Sequence, residues 1–244
     1  MNFSTFRLLT FDCYGTLIDW EAGILATLCP WAQRAGVSAD DAALLTAFAS
    51  AEAAAEHASP GALYPDILRD AHSRIAQHFH APPDAAAANA LAESVGDWPA
   101  FRDTREALAR LHRRFKLVIV SNVDRASFAR TQSRLGVPFD AVITAEEVGA
   151  YKPDLRMFRR TLEVAADWKI APQQVLHVAQ SLFHDHVPAK SLGLSTVWVR
   201  RPSRGNSQLG ATRDPGVAVQ PDLTVQSLAE LADAAGLETQ IKKQ

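Results

Sequence analysis

The sequence predicts an α/β fold: a doubly wound, Rossmann-like parallel sheet with an inserted α-helical cap. Two observations predict it. Short apolar runs rich in β-branched residues alternate with amphipathic helical stretches, the pattern of buried parallel strands and their crossover helices. In addition, about eighty residues after the first such run hold no convincing strand, far more than an ordinary strand connection needs.

The elements follow in order. Arg7–Phe11 (RLLTF) reads as the first strand, because it is short, apolar and closed by a polar residue. From about Asp19 to about Asp97 the chain is loaded with alanine, a strong helix former. Leu44–His57 and Ile67–His80 show helical apolar spacing, and Pro60-Gly61 and Pro82-Pro83 break it. Residues 19–97 are therefore the expected cap, and 1–18 with 98–244 the expected core. Alternation then resumes with a helix over Thr104–Arg114, a strand over Lys116–Val120, a helix over Ala126–Leu135 and a short strand over Ala141–Thr144. Helix Leu155–Ala166, strand Val175–Val178, helix Val187–Leu192 ending at Gly193, and strand Ser195–Val199 complete the pattern. Arg200–Gly216 reads as a surface loop, Pro221–Leu231 as an edge strand and last helix, and Gln240–Gln244 as a frayed end.

The bulk composition narrows the partners. A net charge of −2 over 244 residues gives no basic footprint for nucleic acid. The two cysteines, Cys13 and Cys29, lack CxxC spacing, which suits a reducing compartment and argues against a structural zinc site. No run approaches the ~18 apolar residues of a membrane span or a signal-peptide core. The expectation is a soluble cytoplasmic protein without membrane partners; the oligomeric state is open, a homodimer among the options.

In open parallel sheets, ligands bind outside the carboxyl ends of the strands. There the sequence places Asp12-Cys13-Tyr14-Gly15-Thr16, then Ser121-Asn122, then Ala179-Gln180-Ser181 followed by His184-Asp185-His186. Tyr151-Lys152-Pro153-Asp154 stands just before a helix. A carboxylate can attack carbon or phosphorus and form a covalent intermediate. An ammonium such as Lys152 beside it favours its charged form and lowers its pKa. Gly15 permits a tight turn, while Thr16 and Ser121 supply hydroxyl donors. The plainer readings are a helix cap for Asp12, a solvated surface lysine for Lys152 and turn chemistry for Ser121-Asn122.

Taken in order, Asp12-x-Tyr-Gly-Thr-Leu, Ser121-Asn122, Lys152-Pro153-Asp154 and His177–Asp185 resemble the four signature motifs of the haloacid dehalogenase superfamily. The Asp-x-Tyr-Gly-Thr form is similar to the (S)-2-haloacid dehalogenase branch. That resemblance implies a metal-independent hydrolase of small 2-substituted carboxylic acids, with no cofactor. Asp12 would displace the leaving group from C2, and water would hydrolyse the resulting aspartyl ester. Lys152 would orient Asp12, with Thr16 beside it. Ser121, Asn122 and the backbone at Cys13 and Tyr14 would hold the substrate carboxylate. Asp185, with Ser181, would position water, or else only pair with Lys152.

Most members of the superfamily are magnesium-dependent phosphatases, and two of the acids they use are replaced here by Tyr14 and Gln180. His177, His184 and His186 read as structural or surface residues rather than metal ligands. The dehalogenases carry an early-cap Arg that receives halide, but this chain has no Lys or Arg between Arg34 and Arg69, and Arg34 reads as solvated surface. Phe158 stands where those enzymes have Tyr, and Ala179-Gln180-Ser181 where they have Ser-Ser-Asn. A different 2-substituted acid is therefore in play, including one that loses an amine by opening of a strained ring. A magnesium phosphatase and a catalytically silent binding protein are the alternatives.

Overall fold

The computed structural model describes residues 1–204, 212 and 214–237, so the expected frayed end at Gln240–Gln244 and much of the Arg200–Gly216 loop lie outside the described residues. Its centre is one six-stranded sheet of order β3-β2-β1-β4-β5-β6, every pairing parallel. The strands are β1 (Leu8–Phe11), β2 (Lys116–Ser121), β3 (Ala141–Thr144), β4 (Val175–Ala179), β5 (Ser195–Val199) and β6 (Leu223–Val225). β1 lies between β2 and β4, so the order reverses on either side of it, and the crevice at that switch point opens beside residue 12.

Side-chain alternation divides the core. Leu9, Phe11, Leu117, Ile119, Leu176 and Val178 pack to one side of the sheet, whereas Leu8, Val118, Val120 and Val175 pack to the other. Burying each such side chain contributes about 1.5–3 kcal/mol, which explains why these strands read as continuous apolar runs. Strand β1 begins at Leu8 rather than Arg7, whose exposed guanidinium reaches the Lys169 carbonyl (3.4 Å). Strand β2 runs one residue further than expected and includes Ser121.

Four helices fill the long interval after β1: α1 (Trp20–Ala35), α2 (Asp41–Ala58), α3 (Tyr64–His78) and α4 (Ala85–Ser94). Asp19, Asp40 and Asp84 cap α1, α2 and α4 by accepting from the N–H three residues on. Gly36 ends α1 in the left-handed conformation that glycine adopts without strain. Gly23 is required for a different reason: a Cβ there would lie 2.1 Å from Trp98 Cγ. The chain leaves and re-enters the sheet side by side, since Ile18 bridges Ala100 in antiparallel sense and the Asp19 N–H donates to the Pro99 carbonyl (2.8 Å).

The remaining helices are α5 (Thr104–His112), α6 (Arg125–Leu135), α7 (Ala145–Val148), α8 (Leu155–Asp167), α9 (Val187–Ser191) and α10 (Leu228–Ala234). A π-helical turn at Leu182–His186 precedes α9. Among the described residues no helix is long and apolar enough to cross a membrane.

Candidate active site

The first loop is built around one carbonyl. Asp12 extends β1 by one bond, its N–H donating to Val178 O (3.1 Å). The Cys13 carbonyl then accepts from the N–H groups of Thr16 (3.3 Å), Leu17 (2.7 Å) and Ile18 (3.0 Å), turning the chain back on itself. Gly15 makes the turn at φ +92°, where a Cβ would press on the Trp20 indole nitrogen at 3.2 Å. The turn returns Thr16 Oγ1 to 2.5 Å from Asp12 Oδ2. That oxygen already accepts from the Gln180 N–H (2.9 Å), so its own proton is directed at the carboxylate.

Lys152 supplies the other side. It is only 2% exposed, and its three protons are matched to Asp12 Oδ1 (2.8 Å), Asp185 Oδ1 (2.8 Å) and Val120 O (2.9 Å). Asn122 fixes the lysine backbone, accepting from Lys152 N–H (2.6 Å) and donating to Lys152 O (3.2 Å). Asn122 thus positions Lys152 through both ends of its amide. The surface-lysine reading of Lys152 is overturned: a cation buried this deeply is tolerated only with close counter-charges.

Asp185 comes from the π-helical turn, which Ser181 caps by accepting from the His184 N–H (3.0 Å). Besides Lys152, its Oδ1 contacts His177 Nε2 (3.0 Å), and His177 Nδ1 contacts Thr10 Oγ1 (2.8 Å). The turn therefore presents Asp185 to Lys152, and pairing is what the geometry shows. Among the described residues, Asp185 Oδ2 and the Ser121 hydroxyl, both fully buried, have no hydrogen-bond partner.

The electrostatics follow from burial and charge. Burial disfavours the ammonium of Lys152, but Asp12 and Asp185 outweigh it and hold the group above its ordinary pKa. Burial also opposes ionisation of Asp185, yet Lys152 and His177 prevail and keep that carboxyl far below the usual range. Asp12 goes the other way. Burial, helped by the Asp185 charge, outweighs the pull of Lys152 and Thr16, so Asp12 sits above an ordinary aspartate. The expectation that Lys152 leaves Asp12 with a lowered pKa is corrected accordingly: the lysine pulls downward, but desolvation is larger.

These groups form the floor of a small cavity of about 50 Å³, room for a few water-sized groups. Ser121, Asn122, Ser181 and the ring of Tyr14 also line it. The Tyr14 hydroxyl is occupied by Thr131 Oγ1 (2.7 Å). The Cys13 side chain lies in the apolar core and not in the cavity. Arg34 is 63% exposed and 3.9 Å from Asp84, on the surface as expected. Phe158 is buried edge-on to His177, with ring centroids 5.1 Å apart.

The opposite wall was not foreseen. Glu52 and Glu56 of α2 line the cavity with Trp20 of α1 and Tyr64 of α3. Tyr64 donates its hydroxyl proton to Glu52, and Asn122 Nδ2 donates to Glu56 (3.4 Å). Burial raises Glu52 to about 7, and burial together with the Glu52 charge lifts Glu56 well above an ordinary glutamate. A sequence signal existed: two glutamates four apart on an alanine-rich helix repel, and no Lys or Arg between residues 34 and 69 offsets them.

The donor set does not fit magnesium. A hard dication needs several free carboxylate oxygens in octahedral array. Here both acids at the strand ends hand an oxygen to the same ammonium at 2.8 Å, and Tyr14 turns its hydroxyl to Thr131.

The model of the haloacid dehalogenase-like hydrolase family matches residues 6–182. Haloacid dehalogenase-like hydrolase domain-containing protein 3 of Mus musculus is 29% identical over 210 residues, covering 79% of this chain and 81% of the relative. (S)-2-haloacid dehalogenase H-109 of Pseudomonas putida is 30% identical over 134 residues, 54% of each chain. The structure of L-2-haloacid dehalogenase from Xanthobacter autotrophicus with chloropropionic acid covalently bound superimposes with a TM-score of 0.77 at 21% identity, over 96% of this chain and all of that one. With the family's model spanning the first strand, the Ser121-Asn122 strand end and the lysine segment alike, the chain belongs to the haloacid dehalogenase-like hydrolases.

Proposed function

We propose that this hydrolase displaces a leaving group from C2 of a small 2-substituted carboxylic acid, with Asp12 as nucleophile and no metal ion. The observation that supports it most is the setting of Asp12: one carboxylate oxygen on Lys152 and the other on Thr16, at the base of a small cavity. Both bonds fix the attacking group against the substrate carbon and lower the entropy cost of attack. The lysine replaces the charge a metal would bring.

The sequence of events follows from the side chains present. An Asp12 oxygen attacks C2, the leaving group departs with its bonding electrons, and an aspartyl ester forms. The unpartnered Ser121 hydroxyl donates to the substrate carboxylate. Water then adds to the Asp12 carbonyl carbon, aligned by the open Oδ2 of Asp185, and the 2-hydroxy acid leaves carrying an oxygen that belonged to Asp12. Lys152 stays protonated throughout and steadies the charge on Asp12.

The experiment is a single turnover in H₂¹⁸O with a panel of 2-substituted acids that includes 2-halo acids. The expected product is unlabelled, with the heavy oxygen in Asp12 on peptide mass analysis. Label appearing directly in the product would mean that water, and not Asp12, attacks the substrate.

A further inference from the structure

The cavity already holds four carboxyl groups, on Asp12, Asp185, Glu52 and Glu56, and the ammonium of Lys152 is fully committed to Asp12, Asp185 and the Val120 carbonyl. Among the described residues, no cation stands free on the α2 side to receive a purely anionic substrate. Among the described residues, Glu52 and Glu56 make no ion pair: their hydrogen-bond partners are the Tyr64 hydroxyl and the Asn122 amide, and Lys152 acts on Glu56 only at a distance. Ser121, whose hydroxyl is buried and unpartnered among the described residues, lines the same cavity. The cavity thus offers a donor for a carboxylate and a pair of acceptors for a cation.

We propose that Glu52 and Glu56 form a subsite for a cationic nitrogen, so that the substrate is a zwitterion: a 2-substituted acid that carries an amino group. This rests on the reading of Asp12 as nucleophile toward such an acid. A carboxylate pair holds an alkylammonium through two or three charge-assisted bonds, which are about twice as strong as neutral ones. Without a ligand, the pair sits among Tyr64, Tyr151, Lys152, Asp12, Asp185 and His184, and burial keeps protons on it near neutrality. An arriving ammonium favours the ionised pair and displaces those protons. Affinity for amino-bearing ligands therefore rises with pH, up to the range where the amine itself loses its proton.

Product-type ligands test this without turnover. Calorimetry on the whole protein would compare 2-hydroxy acids of increasing chain length that end in an amino group with the methyl-ended acids of the same length. At one chain length the amino-ended acid should bind roughly tenfold tighter or more, with a gap that widens from about pH 6 to about pH 8. Glu56→Gln and Glu52→Gln should each shrink the gap and leave methyl-ended binding unchanged. The Glu56 variant alone suffices should the loss of the Tyr64 partner unfold the other. Equal affinity at every length, absence of all binding, or a preference that survives both substitutions overturns the subsite. The nucleophile reading fails separately: Asp12→Asn should keep the amino preference, and labelled product in the single-turnover experiment would sink the nucleophile while leaving that preference in place.

Discussion

His177 Nε2 stands 3.0 Å from Asp185 Oδ1, and Thr10 Oγ1 stands 2.8 Å behind it on His177 Nδ1. With Asp185 as acceptor, Nε2 is the donor, and Nδ1 pairs with the Thr10 hydroxyl. The histidine therefore fixes the rotation of a carboxylate whose second oxygen is buried without a partner among the described residues. His177→Phe should lower kcat roughly tenfold with little change in KM, because Asp185 loses the donor that fixes its rotation. His177→Gln retains a donor and should restore most of the rate. A loss that glutamine fails to rescue would reduce His177 to a packing residue.

Asp12→Asn should remove activity by on the order of a thousandfold or more, since a neutral amide is a far weaker nucleophile of nearly the same shape. Intact-mass spectra of the variant with substrate should show no covalent adduct. Residual turnover of more than a few per cent, without deamidation back to Asp, would contradict the role.

Lys152→Met has effects on two scales. Asp12 already titrates above an ordinary aspartate, because burial exceeds the pull of the lysine. Without the ammonium its pKa rises further, so the acid limb moves to higher pH. The two buried carboxylates also lose their shared partner, at a stability cost of roughly 3–5 kcal/mol at neutral pH. Their folded-state pKa values would then lie above the unfolded ones, so this cost should shrink as pH falls and they take up protons. Denaturant melts at several pH values check the sign.

Excess EDTA should leave turnover unchanged, and millimolar magnesium should neither raise it nor elicit release of phosphate from esters. The ground is the geometry of Asp12 and Asp185, each 2.8 Å from one ammonium. EDTA-sensitive phosphate release would favour the phosphatase chemistry of the wider superfamily.

Gly23→Ala tests the packing of α1. In an open helix this change stabilises by about 1 kcal/mol. Here the new methyl would fall 2.1 Å from Trp98 Cγ, so the clash wins. The expected net loss is about 2 kcal/mol, or a fall in Tm of about 4–8 °C. An unchanged Tm would show that Trp98 can move aside.

The sheet was legible because its strands are buried on both sides and read as unbroken apolar runs; Ala141–Thr144 and Ser195–Val199 fall where the pattern put them. Asp12, Lys152, Ser121 and Asp185 were legible as motifs at strand ends. What those motifs did not carry was the balance of forces. That desolvation outweighs Lys152 at Asp12 depends on burial, which no spacing reports. Helices α1 and α4 went unmarked individually, since alanine-rich stretches with caps at Asp19 and Asp84 lack a sharp apolar stripe. Glu52 and Glu56 escaped because they lie some forty residues from the nearest motif, and only the packing of α2 over the sheet edge brings them to the cavity.

Where the polypeptide departs from the sheet and where it returns, Ile18 and Ala100 stand side by side, flanked by the bonds from Asp19 N–H to Pro99 O and from Phe101 N–H to Leu17 O. The four intervening helices are therefore attached like a cassette whose two connectors sit side by side. A graft can exchange that cassette without moving the ends of the sheet. Such an exchange would replace the wall that carries Glu52 and Glu56 and leave the Asp12–Lys152–Asp185 cluster in place. Chimeras joined at these two points should inherit ligand preference from the donor of the helices and covalent chemistry from the donor of the sheet.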